Sequence, residues 1–476
     1  MKKYKSLTEV QSLIESKQLN VPDLLAYYLD KIREQPELNA FNEVFVSSAT
    51  EQAKAVQEKI NAGKAGRLAG MVIGIKDNIL YKDHQTTASS KMLDGFVAPY
   101  SSTVVSRLLA EDAVIIGRLN CDEFAMGGSN ETSFFGPVRN AADTERVAGG
   151  SSGGSAVAVQ ADLCLAALGT DTGGSVRQPA AFCGCFGLKP TYGRISRYGV
   201  IAYASSFDQV GTLTSSVSDA ALLMEILAGA DAYDSTVSAT SVPVYSKELD
   251  HPGKQRIAVL KETMESEALD PETKQAILEA IAGFRAQGHQ VDEVSFDLLD
   301  YLVPAYYVLT AAEASSNLSR YDGVHYGYRN LQAENLNSLY KKSRAEGFGT
   351  EVKRRIMLGT FVLSAGYYDA YYQKAQQVRR LIRERVEALF TNYDLILTPV
   401  APTPAFKIGE NMQDPLVMYM ADIFTVLPSL SGIPSIAIPL GNNQAGLPLS
   451  LQLSAKHFNE ELLLAFTAGF KAEAYT

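Results

Sequence analysis

Apolar residues recur along the chain with the periods of both helices and strands. The helical period predicts helices over residues 8–17, 21–33, 50–61 and 104–109, and short apolar runs predict strands over 71–75 and 113–117. The small, apolar stretch 155–169 reads as one buried helix, and Ser218 reads as the N-cap of a helix that runs to Gly229. Helices and strands that alternate in this way are typical of an α/β fold.

The second half of the chain continues this alternation after a polar, proline-containing stretch at 231–254, which reads as a linker or a long surface excursion. A local βαβ unit is predicted from strands at 256–260 and 291–296, around a helix that Asp270 and Pro271 open and Gly288 closes. A further helix from Tyr371 to Leu389 leads into a strand at 394–397. A late pair of strands is predicted at 435–440 and 447–453.

Composition indicates a large enzyme and excludes several other classes. With 476 residues, of which 46% are hydrophobic and 20% charged, the chain can bury a sizeable core in one domain or two. The net charge of −10 disfavours direct binding of a polyanion, so any RNA is expected on a partner. The four cysteines have neither a disulfide framework nor zinc-type spacing, and no metal site is predicted. No signal-peptide core or membrane-length apolar run is found, so the predicted compartment is the cytoplasm.

Two glycine-rich loops, 149–155 and 169–175, carry the candidate chemistry at Ser151 and Ser175. Glycines let backbone N–H groups converge on one point, which suits the binding of a developing oxyanion. A serine hydroxyl needs a base before it becomes a nucleophile. The chain has five histidines, none in an apolar or glycine-rich context: His84, His251, His289, His325 and His457. A Ser-His-Asp triad is therefore disfavoured.

Lys76, at the end of an apolar strand, is the candidate base. Its pKa, near 10.4 in water, must fall by roughly 3 units before the amine is neutral at pH 7, and burial in the strand can cause that fall. Three alternatives stay open. The first is that Lys76 forms a structural ion pair with a carboxylate such as Asp77. The second is that Ser152 lies on a nucleophile elbow, which needs a preceding strand. The third is that the loops bind phosphate, although the GxxxxGK[ST] sequence is absent.

Together, Lys76, Ser151 and Ser175 resemble the Ser–cisSer–Lys triad of the amidase signature family. The resemblance implies that Ser175 is the nucleophile, that Ser151 relays protons after a cis Gly150–Ser151 bond, and that Lys76 is the base. It also implies an α/β fold with a large mixed central β-sheet covered by helices on both faces. A single domain over 1–476 is expected, with 231–390 as a cap or substrate-pocket region inserted within it. The backbone N–H groups expected to form the oxyanion hole are those of Thr172, Gly173, Gly174 and Ser175.

Within that family, the segments 351–360 and 418–425 are similar to the A subunits of glutamyl-tRNA(Gln) amidotransferases. This resemblance implies that Arg355 binds the α-carboxylate of glutamine, that Asp422 binds its α-ammonium group, and that Tyr306 and Ser129 line the pocket. Each of these residues also has a simpler interpretation. Arg355 would be a solvated charge if its helix face were exposed, and Tyr306 would be a core residue if its aromatic stripe were buried. An unpaired Asp422 among apolar residues would be costly, and a bound ammonium would remove that cost.

The expected function is that of a glutamine amidohydrolase subunit. It would release ammonia for the ATP-dependent conversion of misacylated Glu-tRNA(Gln), with Asp-tRNA(Asn) open as a second acceptor. B- and C-type subunits of a heterotrimer would hold the tRNA, ATP and Mg²⁺, and no cofactor is expected in this chain. The alternatives are a stand-alone amidase that acts on other amides and a noncatalytic scaffold with a vestigial site.

Overall fold

The structure is a computed structural model that describes residues 4–249, 253–411 and 415–470. His251 and part of the predicted linker at 231–254 lie outside the described residues. The described part of that stretch contains only one short 3-10 helix, at Tyr245–Lys247. The expectation of a linker or surface excursion is consistent with this part of the chain.

One mixed β-sheet runs through the described residues, with eleven strands in the order β1-β3-β2-β4-β6-β5-β10-β11-β9-β7-β8. The strands are β1 (Phe41–Val44), β2 (Val72–Lys76), β3 (Val114–Leu119), β4 (Ala166–Asp171), β5 (Phe186–Lys189), β6 (Gln209–Thr214), β7 (Arg256–Leu260), β8 (Gln290–Val294), β9 (Leu395–Pro399), β10 (Ser435–Asn442) and β11 (Pro448–Ala455). Strands β3, β2 and β4 are parallel neighbours, as are β9, β7 and β8. The strands between these two groups pair antiparallel.

Sixteen α-helices in the described ranges surround this sheet. They are α1 (Leu7–Glu15), α2 (Val21–Glu34), α3 (Val46–Asn61), α4 (Thr103–Ala110), α5 (Gly153–Gln160), α6 (Arg177–Cys183), α7 (Val217–Leu227), α8 (Lys261–Met264), α9 (Pro271–Ala286), α10 (Leu299–Asn317), α11 (Leu336–Gly347), α12 (Thr350–Val362), α13 (Lys374–Leu389), α14 (Pro415–Met420), α15 (Val426–Ser431) and α16 (Glu460–Gly469). A π-helix, Tyr368–Gln373, precedes α13.

The sheet separates two hydrophobic cores. Ile257 and Val259 of β7 pack into the core formed with α1, α2, α9 and α16, whereas Ala258 and Leu260 pack into the core formed with α10, α12 and α13. Successive side chains of a strand point to opposite faces, so helices cover both sides of the sheet. The predicted α/β fold with a large mixed sheet is confirmed.

The local signals at α9 act as the sequence predicts. The Asp270 carboxylate accepts a hydrogen bond from the Thr273 N–H at 2.8 Å, and Pro271 occupies the first turn. Gly288 follows the helix with φ +85°, a left-handed conformation that favours glycine. Because β7 and β8 are parallel neighbours, the predicted βαβ unit is confirmed.

Two predictions of secondary structure are wrong. The stretch 155–169 is not one helix: α5 ends at Gln160, Asp162 adopts φ +59°, and the chain then enters β4. Because β4 is buried on both faces between β2 and β6, its apolar run lacks the alternation that marks a strand. The cap of α7 is Ser216 rather than Ser218, and its hydroxyl accepts from the Asp219 N–H at 3.1 Å.

Within the described ranges, no helix is both long enough and apolar enough to cross a membrane. The same residues contain no group of three His, Cys, Asp or Glu side chains placed to hold a metal ion. The cap region at 231–390 stays a prediction. Its strands β7 and β8 extend the central sheet, and its helices α10 and α12 contribute residues to the cavity described next.

Candidate active site

Lys76 ends β2 in the interior of the sheet and is fully buried. Its Nζ donates to Ser151 Oγ at 2.7 Å and to Ser152 Oγ at 3.0 Å, with the Thr170 carbonyl at 3.5 Å. Burial, which disfavours the charged ammonium, lowers the pKa of Lys76 to about 8. At neutral pH a minority of the molecules therefore carry a neutral amine beside the Ser151 hydroxyl.

The alternative of an ion pair between Lys76 and Asp77 is wrong. Asp77 Oδ1 accepts from Arg118 Nη1 at 2.8 Å, and its carboxylate also accepts from the Thr87 N–H at 2.8 Å. The elbow alternative at Ser152 is also unsupported, because the residues before it form only isolated bridges such as Arg139 with Val147. The Lys76 amine is thus oriented by the serine loop.

The Ser151 loop is held by close backbone packing. The Gly150–Ser151 peptide bond is cis, as the family resemblance implies. A Cβ on Gly150 would lie 2.0 Å from Asp122 Oδ2, so no larger residue fits there. The Gly150 N–H donates to Gln178 Oε1 at 2.8 Å, and Gln178 Nε2 donates to the Gly128 carbonyl at 2.7 Å. Gln178 therefore ties the Ser151 loop to the segment that leads into Ser129.

The Ser175 loop follows β4 and is organised by a buried ion pair. Asp171 Oδ1 accepts from Arg177 Nη2 at 2.8 Å, and both side chains are fully buried. Burial raises the pKa of Asp171, but the charge and hydrogen bond of Arg177, with the Lys189 charge and the backbone N–H of Val176, together outweigh it, and the pKa lies below the ordinary value. Asp171 also accepts from the N–H of Val176 at 3.1 Å and from that of Gly174 at 2.9 Å. A stable carboxylate thus fixes the turn around Ser175.

This turn bears on one of the four expected oxyanion-hole donors, whose roles stay predictions. The Gly174 N–H already donates to Asp171 Oδ1 in this structure. The other three expected donors are the N–H groups of Thr172, Gly173 and Ser175. The sequence could not reveal this, because the choice of donor depends on the loop conformation that Asp171 imposes.

The two serine loops are in direct contact. The Ser152 N–H donates to the Ser175 carbonyl at 3.0 Å, and Ser152 Oγ donates to the Thr170 carbonyl at 3.2 Å. Ser151 is fully buried, whereas Ser175 is 7% exposed. The order from Lys76 through Ser151 to Ser175 therefore leads from the interior towards the surface.

Tyr306 and Thr425 pack against the glycines of the Ser175 loop. A Cβ on Gly173 would lie 2.4 Å from the Tyr306 hydroxyl oxygen, and one on Gly174 would lie 2.3 Å from Thr425 Oγ1. Thr425 Oγ1 also donates to the Gly173 carbonyl at 2.6 Å. Tyr306 is thus a core residue, as one alternative held, and it also forms one side of the Ser175 loop.

A cavity of about 270 Å³ is bounded by α10, α12, α14 and the segment after Asp122, and no residue of the Ser175 loop is among its lining residues. Its lining residues are Glu123, Gly127, Gly128, Ser129, Glu131, Thr132, Tyr307, Thr350, Glu351, Arg354, Arg355, Met418 and Tyr419. Two of the four predicted substrate contacts, Ser129 and Arg355, are among them, whereas Tyr306 and Asp422 are not. Asp422 lies behind the lining residue Gly128, where an added Cβ would be 3.7 Å from Asp422 Oδ1. Eight of the thirteen lining residues are charged or carry a Ser or Thr hydroxyl, although most of the lining surface is apolar.

Arg355 is 5% exposed, so the alternative of a solvated surface charge is wrong. Its Nε donates to Glu351 Oε1 at 2.8 Å and its Nη1 donates to the Tyr203 hydroxyl at 2.7 Å. The guanidinium lies 5.2 to 5.6 Å from the ring centroids of Tyr203, Tyr307 and Tyr419. This arrangement fixes a planar cation at the wall of the cavity, the geometry that recognises a carboxylate.

Asp422 follows α14 and accepts a hydrogen bond from the Tyr307 hydroxyl at 2.8 Å. Burial raises the pKa of Asp422 to about 7, although the Tyr307 bond and the Arg355 charge act in the opposite direction. A cation beside this carboxylate would offset the desolvation. A cationic and an anionic group are therefore joined through Tyr307, which contacts Asp422 and stacks against Arg355.

Three residues of this site were not identified from the sequence. Tyr307, rather than its neighbour Tyr306, lines the cavity and contacts Asp422. Tyr203 contacts Arg355 from 152 positions away, and sequence alone carries no signal for that contact. Glu351 had a signal, because a glutamate four residues before an arginine on a helix is a neighbour of that arginine.

Comparison with known proteins agrees with this geometry. The family model described as Amidase matches residues 23–464. The chain is similar to the A subunit of glutamyl-tRNA(Gln) amidotransferase from Bdellovibrio bacteriovorus, with 49% identity over 97% of this chain and 95% of that protein. It is 50% identical to the protein of the same name from Koribacter versatilis, over 95% of this chain and 94% of the relative.

Solved structures give the same result. The A subunit of glutamyl-tRNA(Gln) amidotransferase from Thermotoga maritima superposes with a TM-score of 0.80 at 38% identity, covering 97% of this chain and 93% of the other. A peptide amidase in complex with chymostatin superposes with a TM-score of 0.82 at 28% identity, over 98% and 96% of the two chains. The chain belongs to the amidase family, that is, to the amidase signature family whose triad its serine and lysine residues resemble.

Proposed function

We propose that this protein hydrolyses the side-chain amide of glutamine, as the A subunit of a tRNA-dependent amidotransferase. The observation that carries the proposal is the buried Lys76 amine, whose pKa burial lowers to about 8 and which lies 2.7 Å from Ser151 Oγ. The similarity to proteins named as A subunits of glutamyl-tRNA(Gln) amidotransferase supports the choice of glutamine.

The reaction begins when neutral Lys76 accepts the Ser151 hydroxyl proton while Ser151 accepts that of Ser175. Ser175 Oγ then bonds to the carboxamide carbon of glutamine, and the electron pair of the C=O bond moves onto oxygen. Backbone N–H groups of Thr172, Gly173 and Ser175 are the donors for this oxyanion. When the oxyanion collapses, the C–N bond breaks, and the proton from Lys76 returns through Ser151 to the departing ammonia. Water then attacks the glutamyl ester by the same relay and releases glutamate.

Recognition of glutamine uses one charged group that lines the cavity and one that lies next to its lining residue Gly128. Arg355 binds the α-carboxylate and Asp422 the α-ammonium group, with Ser129 as a further contact. The cavity volume of about 270 Å³ suits a small amino acid. A buried carboxylate whose pKa is about 7 accepts an ammonium ligand readily, because that ligand replaces the solvation lost on burial.

The released ammonia is used by partners in this proposal. B- and C-type subunits hold misacylated Glu-tRNA(Gln), ATP and Mg²⁺ in the cytoplasm, and convert the glutamyl group with the ammonia supplied here. The net charge of −10 agrees with a chain that leaves the polyanion to its partners.

The test is glutamate release from glutamine by the chain alone and together with B- and C-type subunits, tRNA and ATP. We expect hydrolysis that increases with the full set of partners and is lost in Ser175→Ala. Ser129→Ala serves as a contrasting variant, because loss of a substrate contact raises KM while hydrolysis at saturation continues. Serine-dependent hydrolysis of other amides, with no hydrolysis of glutamine under any condition, would instead identify a stand-alone amidase.

A further inference from the structure

Asp208 immediately precedes β6 and is buried, with 5% exposure. The antiparallel register pairs Gln209 of β6 with Asp171 of β4, so Asp208 lies beside Thr172 at the start of the Ser175 loop. Thr172 Oγ1 donates to Asp208 Oδ1 at 2.7 Å. A carboxylate that takes no step in the proposed reaction thus accepts a hydrogen bond from the first residue of the candidate oxyanion hole.

The other side of the same carboxylate holds a different segment. Asp208 Oδ2 accepts from the Tyr203 N–H at 2.9 Å and from the Ala204 N–H at 3.0 Å. Tyr203 is buried, and its hydroxyl accepts from Arg355 Nη1 at 2.7 Å. Asp208 therefore contacts the oxyanion loop directly through Thr172, and only Tyr203 separates it from the Arg355 guanidinium.

We infer that Asp208 is a positioning residue that sets the oxyanion loop and the carboxylate-binding arginine relative to each other. Hydrogen bonds to an ionised acceptor are shorter and stronger than neutral ones, so this carboxylate makes a stiff link. Glutamine has rotatable bonds between its reacting carbonyl and its α-carboxylate, so a fixed distance between the oxyanion loop and Arg355 selects the conformer in which both groups are bound at once. This inference rests on the proposed function for the role of Arg355, but not for the role of the Ser175 loop.

The alternative is that Asp208 only caps the turn at 203–207. Asp208 has two branches, the bond to Thr172 and the connection through Tyr203 to Arg355, and variants that interrupt them one at a time distinguish the two roles. Thr172→Val removes the bond to the oxyanion loop while keeping the shape of the side chain. Tyr203→Phe removes only the hydroxyl that holds Arg355. Asp208→Ala removes both branches at once.

Two assays on the full-length protein measure the effects of the two branches separately. The rate at which a fluorophosphonate labels Ser175 reports the oxyanion loop without involving glutamine. The KM for glutamine, measured with the partner subunits present, reports the arginine. Thr172→Val should slow labelling roughly 10- to 100-fold with KM unchanged, since small displacements of catalytic groups have effects of that size. Tyr203→Phe should raise KM roughly tenfold with labelling unchanged.

Asp208→Ala should show both effects. The double variant Asp208→Ala/Thr172→Val should label no more slowly than Asp208→Ala, because the bond is already absent. The matched control is Asp219→Ala: Asp219 is also buried, and it accepts the Leu7 N–H at 3.0 Å far from the site. It should lower the melting temperature while leaving labelling and KM unchanged.

The inference is overturned if Asp208→Ala folds and leaves both readouts unchanged, or if it alters them no more than Asp219→Ala does. Should Asp208→Ala fail to fold, the single variants decide, and normal labelling in Thr172→Val refutes the link. If the wild-type protein is labelled at Ser175 but does not hydrolyse glutamine, the proposed function fails. The labelling rates then still decide the role of Asp208 at the oxyanion loop.

Discussion

The pH dependence of glutamine hydrolysis should report the titration of Lys76. Only the neutral amine accepts the Ser151 proton, so activity must increase as pH rises through the pKa of Lys76, which is about 8. With that value, about a tenth of the molecules are active at pH 7 and about nine tenths at pH 9. We therefore expect kcat to rise roughly tenfold between pH 7 and 9 and to level off above pH 9.

An unperturbed lysine would behave differently. With an ordinary pKa near 10.4, kcat would rise roughly a hundredfold over the same interval without levelling off. The assay is kcat at saturating glutamine, because the titration of Asp422 near pH 7 affects glutamine binding and hence KM. A kcat that is constant from pH 7 to 9, or one that rises a hundredfold, would refute the reasoning.

Two variants assign the inflection to Lys76. Lys189 is a second buried lysine whose pKa is lowered, to about 7, but its Nζ donates to the Pro190 carbonyl. Lys189→Met should therefore retain an inflection near pH 8. Lys76→Arg should be inactive throughout, because a guanidinium does not lose its proton in this range. An active Lys76→Arg variant would rule out Lys76 as the base.

Three further predictions concern the pocket and the loop. Arg355→Lys loses the bonds to Glu351 and Tyr203, and should raise the KM for glutamine roughly 10- to 100-fold with a smaller effect on kcat; a normal KM contradicts the clamp. Tyr307→Phe removes a bond that lowers the pKa of Asp422, so the rise of KM on acidification should begin at a higher pH than in the wild type. An unchanged pH profile of KM argues against that contact. Gly173→Ala places a Cβ 2.4 Å from Tyr306, so it should lower the free energy of unfolding by about 1–3 kcal/mol and also lower kcat. Gly283→Ala in α9 meets no neighbouring atom within 4 Å, so it should lower neither quantity in melting and activity assays.

Local signals in the sequence predicted most of the sheet. Strands such as β2 and β7 are short apolar runs bounded by polar residues, and the turn residues around α9 carry their own conformational preferences. The prediction failed at β4, where small apolar residues are buried on both faces, so that strand and helix look alike. This segment is a strand because it pairs with β2 and β6, and local sequence patterns do not show that tertiary pairing.

The candidate site was predictable where chemistry is local and unpredictable where it depends on contacts. Lys76, Ser151 and Ser175 stand out by their apolar or glycine-rich surroundings. The aromatic stripe on α10 could not indicate which of Tyr306 and Tyr307 faces the cavity, because neighbouring residues on a helix differ in direction by about 100°. The bond from the Gly174 N–H to Asp171 depends on the folded loop, so the sequence could not indicate that one of the four expected oxyanion-hole donors already has an acceptor in the protein.

The most direct test of the central claim is to identify the residue that carries the glutamyl group during turnover. The protein, with its partner subunits, is mixed with glutamine, quenched with acid within one turnover, digested and analysed by mass spectrometry. The account predicts a glutamyl ester on the peptide that contains Ser175, and neither ester nor ammonia release in Ser175→Ala. A glutamyl group on Ser151 or Ser152, or ammonia release at the wild-type rate in Ser175→Ala, would contradict it.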